Sequence, residues 1–80
     1  MRIPRDIDGS KLINALGILG YSIVKQVGSH IRLTTIQNGE HHVTIPDHSP
    51  IKIGTLNNIL KDISEHFEIS KEELIVKLFT

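Results

Sequence analysis

The sequence predicts a small α+β domain in which a three-stranded antiparallel sheet carries helices on one face. Three stretches of β character lie between two segments whose apolar residues recur at helical spacing. Short glycine-containing turns separate the three stretches, which favours an antiparallel meander over crossover connections. The predicted order is α-β-β-β-α with a short C-terminal helix appended, and the opposite face of the sheet remains free.

The first helix is predicted over residues 9–19, because four apolar side chains there share one helical face: Leu12, Ile13, Leu16 and Leu19. Asp8 can cap the N-terminus of this helix, and Gly20 supplies a stop at its C-terminal end. Residues 21–27 follow as the first strand, since tyrosine, isoleucine and valine are frequent there. The chain therefore enters its sheet directly from a helix.

Residues 30–36 are predicted as the second strand, because apolar and polar side chains alternate along them. The alternation turns Ile31 and Leu33 toward the helices. It leaves three polar side chains on the free face: His30, Arg32 and Thr34. Asn38-Gly39 is a strong hairpin signal that leads into a third strand over residues 40–45, which a proline ends.

The second helix is predicted over residues 54–63, whose apolar side chains form one stripe: Leu56, Ile59, Leu60 and Ile63. Ser70 and Glu73 then form a capping-box pattern that opens a short last helix. That helix carries four apolar side chains: Leu74, Ile75, Leu78 and Phe79. Because these side chains are too apolar to stay solvated, we expect them to pack on the fold or to form a homodimer through this helix.

A chain of 80 residues is long enough for one domain only. The absence of cysteine excludes disulfides, thiolate zinc ligands and cysteine nucleophiles, and it suits a reducing cytoplasm. No apolar run approaches the roughly 18 residues of a membrane span, and the first residues lack the apolar segment of a signal peptide. We therefore expect a cytoplasmic protein without membrane contact.

The charges balance overall but are unevenly distributed. Nine basic and nine acidic residues give a net charge of zero, which is a weak footprint for a nucleic-acid-binding protein. Three cations nevertheless lie in the middle of the chain, and the acidic residues concentrate after Lys61. These cations are Lys25, Arg32 and Lys52. We predict that they contact phosphate groups of a nucleic acid, the alternative being an ordinary solvated surface.

The tripeptide Gly28-Ser29-His30 separates the first two predicted strands. Gly28 permits a tight turn, so the second strand opens on a histidine whose side chain has a defined direction. An imidazole can take and give protons near neutral pH, and RNA cleavage through the 2′-hydroxyl needs a base, an acid and cations but no metal. His30 is therefore the candidate base, or the acid in the reverse assignment. Ser29 either donates to a phosphate or only forms the turn.

The remaining histidines give little support for a metal site. His41 and His42 are neighbours on a strand and point to opposite faces, so they cannot both bind one metal ion. A zinc site from His30, His42 and His48 is conceivable, but no helix carries histidines at ligand spacing. We predict no metal and no cofactor, and we expect His66 to be solvent-exposed.

Several short motifs resemble, in order and spacing, those of HicA-type mRNA interferase toxins. They are Gly28-Ser29-His30, Val43-Thr44-Ile45-Pro46 followed by His48, Gly54-Thr55-Leu56, and Ile59-Leu60. The step from a helix through Gly20-Tyr21 into a strand is similar too. The resemblance covers residues 7–63 and leaves 64–80 as a helical extension of the single domain 1–80.

The resemblance implies a fold like the double-stranded-RNA-binding domain, cleavage of mRNA, and neutralisation by a HicB-type antitoxin. It assigns the catalytic histidine to His30, and it makes His48 a second proton-transfer group or a phosphate ligand. Val27 and Ile31 stand where these toxins often carry basic or polar residues. The alternatives are a weakened relative, a non-catalytic RNA-binding module, and a protein-interaction domain that docks a partner on its sheet.

Overall fold

A computed structural model describes residues 6–79 and has the predicted α+β architecture. Its helices are α1 (Gly9–Leu16), α2 (Ile53–Phe67) and α3 (Lys71–Phe79), and a 3₁₀ turn (Gly17–Leu19) follows α1. Its strands are β1 (Ser22–Val27), β2 (His30–Thr35) and β3 (His41–Pro46). The strands are ordered β1-β2-β3, and both neighbouring pairs are antiparallel. The predicted fold class is confirmed.

Helix α1 begins where the sequence predicts, but its α-helical part ends at Leu16, three residues before the predicted end. The Asp8 carboxylate accepts hydrogen bonds from the Lys11 amide at 2.7 Å and from the Ser10 hydroxyl at 3.0 Å. The amide hydrogen bond, followed by the hydroxyl one, lowers the pKa of Asp8. At the other end the last turn tightens into the 3₁₀ turn, and Gly20 stops it with a φ of 81°.

The helices cover one face of the sheet and leave the other face free. Both α1 and α2 pack against β3, and α3 packs against both helices. The buried apolar side chains form one cluster. The sheet contributes Ile31, Leu33, Val43 and Ile45, and the helices contribute Leu12, Leu16, Leu56, Leu60, Ile63, Leu74, Ile75 and Leu78.

Helix α3 belongs to this core. The Ser70 hydroxyl accepts a hydrogen bond of 3.0 Å from the Glu73 amide, as the capping pattern predicts. Leu74, Ile75 and Leu78 are buried within the chain itself. Because the chain itself buries these side chains, their apolar character gives no reason to expect a homodimer through this helix, which the sequence had left open.

The β2–β3 connection differs from a minimal Asn-Gly hairpin. The turn hydrogen bond runs from the Gly39 amide to the Ile36 carbonyl, so Asn38 and Gly39 occupy the third and fourth turn positions. The reason lies in α2: His66 Nε2 donates to the carbonyl oxygens of Gln37 and Gly39, and the Asn38 side chain donates to the His66 carbonyl. The prediction of a solvent-exposed His66 is wrong, because the loop partly buries its ring.

Helix α2 continues to Phe67, four residues beyond its predicted end. It closes with Glu68 at a φ of 57°, a conformation that usually favours glycine. The Glu68 amide donates to the Glu65 carbonyl and the Ile69 amide to the Ser64 carbonyl, which is the pattern of a Schellman motif. Within residues 6–79, no helix is long and apolar enough to cross a membrane.

Candidate active site

The turn before His30 has the form that the Gly-Ser step predicts. Val27 pairs with His30, so Gly28 and Ser29 are the only residues between the two strands. Gly28 has a φ of 59°, and Ser29 has no positive φ, which is typical of a type II′ turn. The Gln26 side chain donates to the Gly28 carbonyl at 3.1 Å. His30 therefore opens β2 from a short, hydrogen-bonded turn, and its side chain is exposed.

A β-bulge at Val24 brings a cation onto the free face of the sheet. Before the bulge, Ile23 pairs with Leu33, which is fully buried on the helix side. After it, Lys25 pairs with Arg32, which is exposed on the free side. In a regular strand Lys25 would share the face of Ile23, because side chains alternate with period two. The bulge therefore places Lys25 beside Arg32.

The loop after β3 is held against two other segments by main-chain hydrogen bonds. Pro46 pairs with His30, and the Asp47 amide donates to the Ser29 carbonyl at 2.6 Å. The Gly9 amide at the start of α1 donates to the His48 carbonyl at 3.0 Å. These bonds fix the backbone of His48 near the start of β2.

Two open grooves meet at His30. The first, which we call the His48 groove, has a volume of about 380 Å³. It is lined by His30, Thr44, Pro46, His48, Lys52 and Thr55. The second, the Arg32 groove, has a volume of about 220 Å³ and is lined by Lys25, Val27, His30, Arg32 and Thr44. Five of the six predicted site residues, His30 itself included, thus line these two grooves. The sixth, Ser29, lines neither groove and contributes its carbonyl to the Asp47 hydrogen bond.

The two grooves are basic although the chain as a whole is neutral. Their lining includes three cations and two histidines but no carboxylate. In the described part of the chain, neither Lys25, Arg32 nor Lys52 forms an ion pair, so all three cations are available to an anion. An imidazole between free cations can take a proton from, or give one to, an oxygen of a bound phosphate ester, and the cations can stabilise negative charge on it. No group of three histidine, aspartate or glutamate side chains between residues 6 and 79 could hold a metal ion.

Comparison with protein-family models matches residues 9–64 to the family described as the HicA toxin of bacterial toxin-antitoxin systems. The match covers more than half of the chain, including α1, the whole sheet and most of α2. The chain belongs to the HicA toxin family. Searches of curated proteins and of solved structures gave no significant match. The resemblance predicted from the short motifs is confirmed at the level of the family.

Both grooves of this HicA chain lie within the matched segment, whereas α3 lies outside it. The other three histidines do not join the grooves. As predicted, His41 and His42 point to opposite faces: His41 bonds to Tyr21 at 2.7 Å on the helix side, and His42 bonds to Thr34 at 2.6 Å on the free side. His42 does not line the groove that His30 and His48 share, so the three histidines of the conceivable zinc site do not come together.

A second histidine cluster lies on the helix side of the sheet and was not predicted from the sequence. The rings of His41 and His66 stack with their centroids 4.4 Å apart, and His41 Nε2 lies 3.3 Å from an Asp62 oxygen. Burial, and next the nearby Asp62 charge, raise the pKa of the Tyr21 hydroxyl well above its ordinary value. This cluster joins the β2–β3 loop to α2. Local sequence patterns do not predict such a contact between distant segments.

Proposed function

We propose that this HicA family member is an RNA-cleaving toxin in which His30 is the acid–base group. One observation carries the proposal: His30 is shared by two grooves that hold His48, Lys25, Arg32 and Lys52 and no carboxylate. A single-stranded RNA passing over His30 would meet cations on both sides of its reacting phosphate. Because RNA carries its own nucleophile in the 2′-hydroxyl, these groups are sufficient without a metal ion.

In the proposed reaction His30 removes the proton from a 2′-hydroxyl. The oxygen attacks the adjacent phosphorus, and the bond from phosphorus to the 5′-oxygen breaks. A second group returns a proton to the leaving oxygen, and His48 is the candidate because it lines the same groove. The products are a 2′,3′-cyclic phosphate and a 5′-hydroxyl. The roles of His30 and His48 can also be reversed, with His30 as the acid.

The cations have two tasks in this proposal. Arg32 and Lys25 lie as a cross-strand pair beside His30, where a guanidinium can hold a phosphate with two hydrogen bonds. Lys52 stands at the N-cap of α2 and lines the His48 groove. It would stabilise the negative charge that develops as the oxygen attacks.

Membership in a toxin–antitoxin family implies an inhibitory partner, and we infer a HicB-type antitoxin acting in the cytoplasm, where mRNA is available. Strand β1 supports a protein contact, since all six of its residues are exposed. Ile23, Val24 and Val27 are each more than half exposed there. An exposed edge strand with apolar side chains is suited to pairing with another chain. This edge also favours the second candidate function, a protein-interaction domain without turnover.

Incubation of the purified protein with single-stranded RNA in excess chelator tests the proposal. We expect cleavage to 2′,3′-cyclic phosphate ends, and a single 2′-deoxy substitution should block cleavage at that linkage. Salt-dependent binding without cleavage would identify a non-catalytic RNA-binding module instead. If the protein neither binds nor cleaves RNA, the protein-interaction domain remains as its function.

A charge control separates groove contacts from general electrostatics. Lys52→Ala should slow cleavage, whereas Lys61→Ala, which removes an exposed cation of α2 outside both grooves, should not. Equal effects of the two substitutions would contradict a phosphate contact at Lys52.

A further inference from the structure

The free face of the sheet carries one more histidine, which the proposed reaction does not use. His42 Nε2 lies 2.7 Å from Glu40 Oε2, and His42 Nδ1 lies 2.6 Å from the Thr34 hydroxyl. A carboxylate can only accept, so Nε2 carries a proton; in the neutral ring Nδ1 then accepts from Thr34. Both ring nitrogens are therefore engaged, and the orientation of the imidazole on the strand surface is held from two sides.

The ring remains accessible although its nitrogens are occupied. The His42 side chain is 40% exposed to solvent. Because hydrogen bonds occupy both nitrogens, the surface available to a ligand consists of the ring carbons and the ring faces. Exposed aromatic and imidazole faces on a sheet are a common support for the unpaired bases of single-stranded RNA.

The position of His42 relative to His30 fits a strand that crosses the free face. Pro46 pairs with His30, and His42 lies four residues earlier on β3, about 13 Å away along the strand. The pair Arg32 and Thr44 lies between them on the same face. An extended RNA strand held at Arg32 therefore reaches His42 within a few nucleotides of the bond that His30 addresses.

Glu40 decides which part of the RNA can occupy this position. Its carboxylate repels phosphate but accepts hydrogen bonds from the amino groups of cytosine, adenine or guanine. Uracil presents its single Watson–Crick N–H between two carbonyl oxygens, which the carboxylate also repels. The charge thus favours a base with an exocyclic amino group over uracil and over the RNA backbone.

We propose that Thr34, His42 and Glu40 form a nucleobase subsite. A base bearing an exocyclic amino group stacks on the His42 ring and donates to Glu40. The inference rests on the proposed function, because RNA must lie on the free face of the sheet. It adds a preference for a base with an exocyclic amino group at a fixed distance from the cleaved bond.

Fluorescence anisotropy with non-cleavable 2′-O-methyl oligonucleotides tests the subsite. The probes are a uridine homopolymer and the same oligomer with one cytidine at successive positions. We expect at least one position at which cytidine tightens binding to the wild type about tenfold, the size of effect that one hydrogen bond to a charged group contributes. His42→Ala should abolish this gain, and Glu40→Ala should bind cytidine and uridine probes equally.

Two further variants separate a stacking role from a structural one. His42→Phe, which keeps a stacking face, should retain overall affinity, and Asn58→Ala on the exposed surface of α2 should behave as the wild type. If His42→Ala unfolds, the ring protons of His42 in the wild type provide the test: they should shift upfield with the cytidine probe. Cytidine preference that survives in a folded His42→Ala, or unmoved ring protons, overturns the subsite.

Failure of the subsite is distinguishable from failure of the proposed function. If the wild type cleaves RNA but shows no positional preference for cytidine, the subsite is wrong and the RNA-cleaving activity stands. If the wild type neither binds nor cleaves any RNA, the proposed function fails and removes the subsite with it.

Discussion

The Asp47 amide donates a 2.6 Å hydrogen bond to the carbonyl oxygen of Ser29. This bond extends the β2–β3 ladder one residue beyond the pair His30 and Pro46. It draws the loop that carries His48 against the Gly-Ser turn, and the Gly9 amide holds the same loop from α1. Two histidines separated by 17 residues in the sequence thus share one groove through main-chain contacts.

We predict that Gly9 does not tolerate alanine, although helices favour alanine over glycine. A Cβ at this position would lie 2.7 Å from the Pro46 carbonyl oxygen and 3.1 Å from Asp47 Cα, so the loop would have to move. Gly9→Ala should slow RNA cleavage about 10- to 100-fold by displacing His48 from His30. Amide NMR spectra should show shifts concentrated in the loop.

Gly17→Ala is the matched control for this substitution. Gly17 has helical angles, φ −57° and ψ −29°, and a Cβ there would meet nothing within 4 Å. Alanine should leave cleavage unchanged and stabilise the fold by about 0.4–1 kcal/mol, since it restricts the unfolded chain. Equal cleavage rates for the two variants would contradict the positioning role of the Gly9 contact.

Leu60 should be among the most sensitive core positions. Its side chain is fully buried, so Leu60→Ala leaves a cavity and should destabilise the domain by about 2–5 kcal/mol in urea unfolding. Ile18→Ala removes a comparable side chain that is 58% exposed and should change stability by less than about 0.5 kcal/mol. Similar losses for the two variants would mean that the core is placed wrongly.

Removal of residues 70–80 should destabilise the protein without changing its association state. The deletion takes away three buried side chains, Leu74, Ile75 and Leu78, and uncovers the helices beneath them. We expect a lower urea midpoint for the truncated chain, and a monomeric full-length chain in light scattering after gel filtration. An unchanged midpoint, or a full-length dimer that the deletion converts to a monomer, would refute this account of α3.

The stability of the fold should fall at alkaline pH because of Tyr21, the single tyrosine of the chain. Burial, together with the Asp62 charge, raises the pKa of its hydroxyl, whereas an unfolded tyrosine ionises near pH 10. Above about pH 10 the unfolded state therefore binds fewer protons, and stability decreases with rising pH. The stabilising contribution is fully present below that pH.

Tyr21→Phe isolates this effect. Its stability should decline less steeply above about pH 10 than that of the wild type, and the ultraviolet phenolate signal of the folded wild type should emerge only well above that pH. A folded-state titration near pH 10 would contradict the buried hydroxyl and its hydrogen bond to His41.

Local patterns were sufficient to predict the order of elements and the position of several candidate site residues in the fold. Alternation in β2 placed His30 and Arg32 on the free face, and the Gly-Ser step predicted the turn before them. The bulge at Val24 escaped prediction because no glycine marks it. The end of α2 escaped as well, because Glu68 occupies a left-handed position that sequence rules assign to glycine or asparagine.

The contacts that assemble the groove could not be predicted, since they join main-chain atoms of distant segments. The hydrogen bonds of Asp47 and Gly9 depend on the backbone rather than on side-chain type. His48 was predicted as a site residue only from its match to the family's motif. The subsite at His42 likewise depends on cross-strand register, which alternation within one strand does not give.

The most direct test of the account compares single-turnover RNA cleavage by the wild type and by His30→Ala, both with excess chelator. His30 is exposed, so circular dichroism and thermal unfolding of the variant should match the wild type. We predict a loss of cleavage of at least about 100-fold, with RNA affinity reduced only a few-fold because Lys25, Arg32 and Lys52 remain. Cleavage by a folded His30→Ala at a rate close to that of the wild type would contradict the central claim.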